Sequence, residues 1–353
     1  MRSVSVQASR SYEVLIGRGL LDEAGARVKA AAPKAETAVI VSGDRVWPLY
    51  GARAEASLEK AGFRVLRYLI PHGEQHKTLE TYTGLLSFLC DRRLTRSDVL
   101  VALGGGVTGD LTGFAAATYQ RGCGFVQIPT TLLAMVDSSV GGKTAVDLPG
   151  GKNQAGAFYQ PLLVLCDPDT LETLPEEEFR CGCAEVIKYG MLGDAAFFAS
   201  LRRQHVRGQL EDVIEHCVAM KRDIVHEDEF DTGLRRLLNL GHSFGHAVES
   251  CSGFTVLHGQ AVAVGMAMIT RAAVKKGFCA QETLARLLDI LSFYGLPASC
   301  EYSADALAAA MRSDKKMTGG TMHLVVPEAV GRCRVLALPA EELGDWLREG
   351  GAR

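Results

Sequence analysis

No uninterrupted apolar stretch in the sequence approaches the ~18 residues of a membrane span, and the opening Met1-Arg2-Ser3-Val4-Ser5-Val6 has no apolar h-region. A cytoplasmic protein is the expectation. An excess of positive charge is also missing. Lys and Arg number 38 against 41 Asp and Glu, giving a formal net charge of -3. Nucleic acid and anionic membrane surfaces are therefore not expected partners, and an anionic small molecule would need a local basic cluster. Paired cysteine motifs are absent as well. The ten cysteines are scattered, with no Cys-x-x-Cys, which excludes a disulfide scaffold. The one close pair, Cys181-Gly182-Cys183, lacks a second pair and reads as packed thiols. There is no internal repeat and no low-complexity linker.

What is present is an ordinary globular composition, 47% hydrophobic and 22% charged over 353 residues, long enough for two cores. Up to about residue 175, short β-rich runs alternate with helix-length segments: Ala38–Val41, Phe63–Leu66, Val99–Leu103, Phe125–Ile128 and Leu162–Leu165. Few of these runs alternate polar with apolar, as expected of strands covered on both faces. The pattern predicts a largely parallel α/β domain over 1–175, with ligands beyond the carboxyl ends of its strands. After Pro175 a 3.6-residue period predicts helices near 178–190, 208–226, 232–250, 258–277, 280–294 and 304–312. A hairpin is expected around Gly331, with strands at His323–Val326 and Cys333–Leu336, followed by a last helix ending near Arg348. The 176–353 domain is thus expected to be mainly α.

Three constellations carry chemistry. Gly104-Gly105-Gly106-Val107-Thr108-Gly109-Asp110 follows the most apolar strand and opens the helical run Leu111–Tyr119, so glycine backbone can approach an anion at a helix N-terminus. It is not Gly-x-Gly-x-x-Gly, and a tight connection would also use glycine. Earlier, Pro71-His72-Gly73-Glu74-Gln75-His76-Lys77 places Glu74 and Lys77 where they could hold ribose hydroxyls.

The second constellation is Gly241-His242-Ser243-Phe244-Gly245-His246, with two imidazoles one helical turn apart on one face. His258 opens the next helix, and Glu185 lies on an earlier one. One carboxylate and two imidazoles with open positions would make a catalytic zinc site, and spacing alone leaves open which histidines ligate. No Glu stands between His242 and His246 as in His-Glu-x-x-His, which disfavours a zinc protease. His205, His216 and His226 stand singly in charged helical stretches, where surface roles are commoner.

The third constellation joins Asp137-Ser138-Ser139-Val140-Gly141-Gly142-Lys143-Thr144 to Gly150-Gly151-Lys152-Asn153, lysines amid glycines and small hydroxyls that suit a phosphate cradle. A Walker A loop, Gly-x-x-x-x-Gly-Lys-Ser/Thr, is not matched, because Asp137 stands five residues before Gly142, where the first Gly belongs, and Ser138 four before. Lys188, Lys221, Arg235, Lys315 and Lys316 add cations near these motifs, although any one of them could be a solvated helix face.

Taken in order with Ile128-Pro129-Thr130-Thr131-Leu132-Leu133, Gly151–Gln154, Ala184–Lys188 and Leu238–Glu249, these motifs resemble those of the 3-dehydroquinate synthases, within the sugar phosphate cyclases. The resemblance covers most of the chain. It implies a Rossmann-like NAD-binding domain, a helical metal-binding domain and a homodimer. It implies further that Glu185, His242 and His258 bind Zn²⁺, with Co²⁺ a possible substitute, and that His246 serves substrate or a proton relay. NAD would contact Gly105, Gly106, Val107, Asp110, Thr130, Thr131, Glu74 and Lys77, with Lys143, Lys152 and Thr173 also at the cofactor. Lys143, Asn153 and Lys315 or Lys316 would hold a sugar phosphate's phosphate, together with Arg121 of the partner subunit, and Lys152 belongs to the catalytic set as well. Lys221, Arg235 and Asn239 would face its carboxylate and hydroxyls, with Asp137 and Lys188 also in the catalytic set.

The implied reaction is redox-neutral: transient oxidation at C5 of 3-deoxy-D-arabino-heptulosonate 7-phosphate, loss of phosphate, reduction, and aldol closure to 3-dehydroquinate. Three departures stand out. Gln260 replaces a usual Glu after His-Gly, Asp231 a usual Glu before Gly-Leu-Arg, and Gly43-Asp44-Arg45 is a shifted form of Asp-x-Asn. The rival readings are a sister cyclase acting on another sugar phosphate, a metal-dependent polyol dehydrogenase, and a non-catalytic relative. Retention of Lys221 and Arg235 argues against a substrate lacking a carboxylate, the phosphate cradle against a polyol dehydrogenase, and the complete set of acid, histidines and lysines against a mere binder.

Overall fold

The computed structural model describes residues 1–312, 317–318 and 321–353. The chain folds into two compact units: Met1–Leu174 with Leu210–Phe230, and Pro175–Gln209 with Asp231–Arg353. The change of pattern at Pro175 thus coincides with one crossing between units, while residues 210–230 return to the first.

The first unit is built on β1 (Arg2–Val6), β2 (Tyr12–Ile16), β3 (Thr37–Gly43), β4 (Arg64–Ile70), β5 (Val99–Gly104), β6 (Gly124–Pro129), β7 (Lys143–Leu148), β8 (Gly151–Phe158) and β9 (Leu163–Cys166). Seven of these form one sheet in the order β1-β2-β9-β6-β5-β3-β4, parallel except for β1 at the edge. Every residue of β5 is buried, which is why its sequence is unbroken apolar rather than alternating. Two apolar clusters lie on the sheet, one containing Ile40, Val101 and Ile128, the other Val39, Leu100 and Phe125. The Leu210–Glu227 helix belongs to this unit, and Arg2 at the sheet edge meets its Glu211, Asp212 and Glu215.

Two hairpins escape the sequence pattern. β1 and β2 pair antiparallel, and β7 and β8 form a separate two-stranded ribbon from the segment read as a phosphate cradle. The ribbon's second strand is only half-buried and rich in glycine and polar residues, so period-2 hydrophobicity has nothing to report there.

The second unit is helical, as expected, with helices at Glu176–Gly193, Ala195–Arg203, His242–Cys251, His258–Lys275, Gln281–Phe293, Ala304–Arg312 and Leu343–Glu349. It also holds β10 (Met317–Thr318), β11 (Thr321–Ala329) and β12 (Arg332–Pro339), the last two forming the expected hairpin. The single helix expected over 232–250 is two elements, a short 3₁₀ turn at Leu234–Asn239 and the His242–Cys251 helix. Gly241 breaks them apart at φ +78, a left-handed conformation that favours glycine.

Glycines also set how closely the helices approach. A Cβ on Gly265 would stand 2.0 Å from the carbonyl oxygen of Gly241, and one on Gly259 would stand 2.3 Å from Cys181 Cα. The first contact seats the His258–Lys275 helix against the start of the His242 helix. The second brings His258 beside the Glu176–Gly193 helix. Gly265→Ala is expected to destabilise the fold by at least the roughly 1–3 kcal/mol usual for overpacking, because the obstruction is backbone. Thermal unfolding should show a Tm several degrees lower, and an unchanged Tm would refute the close approach.

Candidate functional site

In the second unit, the Glu176–Gly193 helix is buried on nearly every face from Phe179 to Leu192, and it carries Glu185 and Lys188 one turn apart. Glu185 is 1% exposed and Lys188 0%. Lys188 Nζ lies 2.5 Å from Glu185 Oε2, so the ammonium offsets part of the cost of burying the carboxylate. Towards Oε1 point two imidazoles: His258 Nε2 at 3.4 Å and His242 Nε2 at 3.6 Å. The His242 ring is oriented by Nδ1, which is 3.1 Å from the carbonyl oxygen of Leu240. That contact leaves Nε2 to face the cluster.

Ligand atoms of Glu185, His242 and His258 all lie within 4.8 Å of one another. Glu185 Oε1 is buried without a hydrogen bond of its own. One carboxylate and two imidazoles suit a divalent ion such as Zn²⁺, so the donor set fits the metal that the sequence implies. His246 stands one turn along the same helix, its ring centroid 5.6 Å from that of His242 and 6.0 Å from that of His258.

Sequence reasoning missed Glu249. It is 1% exposed, its Oε1 lies 3.5 Å from His258 Nδ1, and its Oε2 lies 4.0 Å from His246 Nε2. The available signal was its place three residues after His246, on the face that carries the histidines. Cys181 and Cys183 are buried free thiols, the first pushed up to about 11 by burial and the second higher still. Both are protonated near neutrality in metal-free protein.

Arg235 and Asn239 share the short Leu234–Asn239 turn. Arg235 is 1% exposed, and Asn239 Nδ2 donates to the Arg236 carbonyl at 3.1 Å. Lys315 and Lys316 lie outside the described residues.

In the first unit, β5 delivers Gly104 to a helix that starts at Gly106, earlier than the run from Leu111 suggested, so the glycines form its first turn. Gly105 at the N-cap is extended, and no side chain caps the helix. Its first amides are therefore available to an anion. A Cβ on Gly105 would come within 3.1 Å of Thr131 Cγ2, and one on Gly106 within 3.1 Å of Ser138 Oγ. Glycine keeps both positions clear of these side chains, which suits the approach of an anion such as a pyrophosphate. Val107 follows in the first turn. Thr130 is buried, its amide donating to the Gly104 carbonyl at 2.9 Å, and Thr131 Oγ1 accepts from the Ala134 amide at 3.2 Å.

Residues that the sequence divided between cofactor and phosphate form one network. Lys77, 4% exposed, donates from Nζ to Asp110 Oδ2 and to Asn153 Oδ1, each at 2.6 Å. Burial works against the Lys77 charge, but Asp110 and Glu74 outweigh it and hold the ammonium above its ordinary value. Asn153 sits at φ +54 on the ribbon, with its amide bound to Asp147 Oδ1 at 2.7 Å. Lys152 lies 3.7 Å from Glu74.

Lys221 is buried and donates to both the carbonyl oxygen and the carboxylate of Asp137, so these two residues form a pair. Lys143 and Arg121 are exposed, Arg121 at φ +66 after the Gly106–Thr118 helix. Thr173 ends a short turn, where it hydrogen-bonds with Tyr50.

Burial lowers the pKa of His258, but Glu185 and Glu249 more than reverse this and raise it from 6.5 to about 10. A raised folded-state pKa gives metal-free protein a stabilising proton. That contribution is fully present below about 6.5 and lost as pH rises through about 10. A metal must displace this proton. Binding near pH 7.5 should therefore release about one proton, measurable by calorimetry in buffers of different ionisation enthalpy, and zero release would contradict the geometry.

The family described as 3-dehydroquinate synthase N-terminal matches residues 67–181, and that described as 3-dehydroquinate synthase C-terminal matches 182–317. The 3-dehydroquinate synthase of Pelobacter propionicus is 45% identical over 341 residues, 94% of this chain and 95% of its own. Among solved structures, 2-epi-5-epi-valiolone synthase from Streptomyces hygroscopicus subsp. jinggangensis, with NAD+ and Zn2+ bound, superposes with a TM-score of 0.84 at 29% identity, covering 98% of each chain. A 2-deoxy-scyllo-inosose synthase complexed with carbaglucose-6-phosphate, NAD+ and Co2+ shares the fold, with a TM-score of 0.86 at 24% identity over 99% of this chain and 100% of its own. With a matching relative over nearly its whole length and both halves of the family signature in order, the chain belongs to the 3-dehydroquinate synthase family.

Proposed function

We propose that the chain converts 3-deoxy-D-arabino-heptulosonate 7-phosphate into 3-dehydroquinate and phosphate, in the shikimate route to aromatic amino acids. The observation that carries this reading is the 45% identity to a 3-dehydroquinate synthase across nearly the full length, against 29% and 24% for two cyclases with other products.

When bound, NAD supplies a hydride acceptor that is restored within one turnover, and a zinc or cobalt ion supplies a Lewis acid for substrate hydroxyls. Glu185, His242 and His258 hold the metal, and Lys188 keeps Glu185 neutralised within its helix. The open first turn at Gly105, Gly106 and Val107 receives the pyrophosphate, while Asp110, Lys77 and Glu74 meet ribose hydroxyls. Thr130, Thr131 and Thr173 complete the cofactor contacts.

Lys143, Lys152 and Asn153 bind the substrate phosphate, joined by Lys315 or Lys316 and by Arg121 of the partner subunit in a homodimer. Arg235 presents a planar fork that stays charged at any working pH and matches a carboxylate. Asn239 and Lys221 bind substrate oxygens, and Asp137 fixes the Lys221 ammonium. His246 moves a proton at Nε2, within reach of Glu249. No helix among the described residues is long and apolar enough to cross a membrane, and we assign the protein to the cytoplasm.

Purified protein with NAD⁺ and Zn²⁺ should release phosphate from the heptulosonate phosphate without accumulating NADH, and chelator treatment should stop it. Folded, NAD-binding protein that releases no phosphate would point instead to a sister cyclase with another sugar phosphate. Arg235→Glu should lower kcat/KM by roughly 100-fold or more, in line with the ~3 kcal/mol lost when one partner of a buried charge pair is removed, and unaltered kinetics would remove Arg235 from the carboxylate site.

A further inference from the structure

The two donor groups of the second unit, Glu185 with His242 and His258, and His246 with Glu249 and His258, share one residue. They share it through opposite ring nitrogens. His258 Nε2 lies 3.4 Å from Glu185 Oε1, and His258 Nδ1 lies 3.5 Å from Glu249 Oε1. An ion held by Glu185 and His242 therefore takes Nε2 and leaves Nδ1–H facing a carboxylate.

From this we infer that Glu249 is a positioning residue for the metal centre, accepting the His258 Nδ1–H and so fixing which tautomer and ring orientation meet the metal. The inference rests on the metal-site reading above and deepens it. Carboxylates in this position hold the imidazole's second proton and raise the basicity of the ligating nitrogen. His242 shows the same construction with a weaker acceptor, its Nδ1 being 3.1 Å from the Leu240 carbonyl. Both histidines thus ligate through Nε2 with Nδ1 anchored, one by a peptide carbonyl and one by a carboxylate.

Glu249 is well placed to be rigid. It is 1% exposed, and its backbone carbonyl accepts from Ser252 Oγ at 2.7 Å and from the Phe254 amide at 2.9 Å. Ser252 Oγ in turn accepts from the Val256 amide at 3.2 Å. These bonds tie the connection leading to His258 back onto the residue that orients it. Glu249 Oε2 also lies 4.0 Å from His246 Nε2, so one carboxylate reaches both the ligand and the neighbouring imidazole.

The test uses metal affinity rather than turnover. Co²⁺ binding to purified, metal-stripped full-length protein is followed by chelator competition and by the cobalt d–d absorption of the bound ion. Glu249→Gln keeps size and packing but removes the charge. It should weaken binding by about 10–100-fold and change the d–d bands, while the circular dichroism spectrum and NAD affinity stay at wild-type values. Wild-type Co²⁺ affinity and an unchanged spectrum in Glu249→Gln would overturn the role of Glu249 while leaving the metal site standing. Failure of the wild-type protein to bind Co²⁺ or Zn²⁺ would overturn both.

A second measurement needs no variant. In ¹⁵N-histidine-labelled wild-type protein loaded with Zn²⁺, His258 should show a metal-bound Nε2 and a slowly exchanging Nδ1–H hydrogen-bonded to a carboxylate. Ligation through Nδ1, or a rapidly exchanging Nδ1–H, would sink the proposal.

Discussion

The second unit is organised around a carboxylate that has been taken out of water. Burying Glu185 costs several kcal/mol unless positive charge and hydrogen-bond donors answer it, and the surrounding sequence provides both. Lys188 answers from one turn along the same helix, and His242 and His258 approach from two further helices. Glu185 and Glu249 face His258 from its two ring nitrogens and together hold a proton on it in metal-free protein. A divalent ion that displaces this proton supplies more positive charge to the same two carboxylates. The helices can come this close because Gly241, Gly259 and Gly265 present no side chain at their crossings. Packing and chemistry are therefore the same constraint seen at two scales.

The first unit solves a different electrostatic problem by similar means. A helix whose opening residues are Gly106 and Val107 has bare amides at its start, and the end of a fully buried strand fixes where those amides point. Beside it the Lys77 ammonium is shared by Asp110 and Asn153, so residues from the helix and from the ribbon are set by one buried cation. Lys221 plays a comparable part for Asp137. In both cases a lysine that the sequence presents as a candidate ligand contact already holds an acceptor of its own, which positions that acceptor for whatever binds.

Much of this was legible in the sequence, for reasons that can be named. Strands such as Val99–Leu103 announce themselves because burial on both faces demands unbroken apolar residues, and long helices such as His258–Lys275 because burial of one side imposes a 3.6 period. The donors Glu185, His242 and His258 were visible as residue types at suggestive spacing, but the choice of His258 over His246 needed either a family resemblance or three-dimensional proximity. The β7–β8 ribbon was not legible, since β7 is short and its partner β8 is half-buried and glycine-rich, with no periodic face. Nor was the break at Gly241, where a continuous helical pattern conceals a left-handed residue. Glu249 was hidden for another reason. A lone acid near the end of a helix looks like a solvated charge until the fold brings His258 to it.

Whether the metal sits on Glu185, His242 and His258 can be read from X-ray absorption at the zinc edge of the purified, metal-loaded protein. A first shell of nitrogen and oxygen near 2.0–2.1 Å, with the multiple scattering of two imidazoles and no sulfur, is the result expected for Glu185, His242 and His258. Sulfur scattering near 2.3 Å would place the metal on cysteine instead of on these three residues.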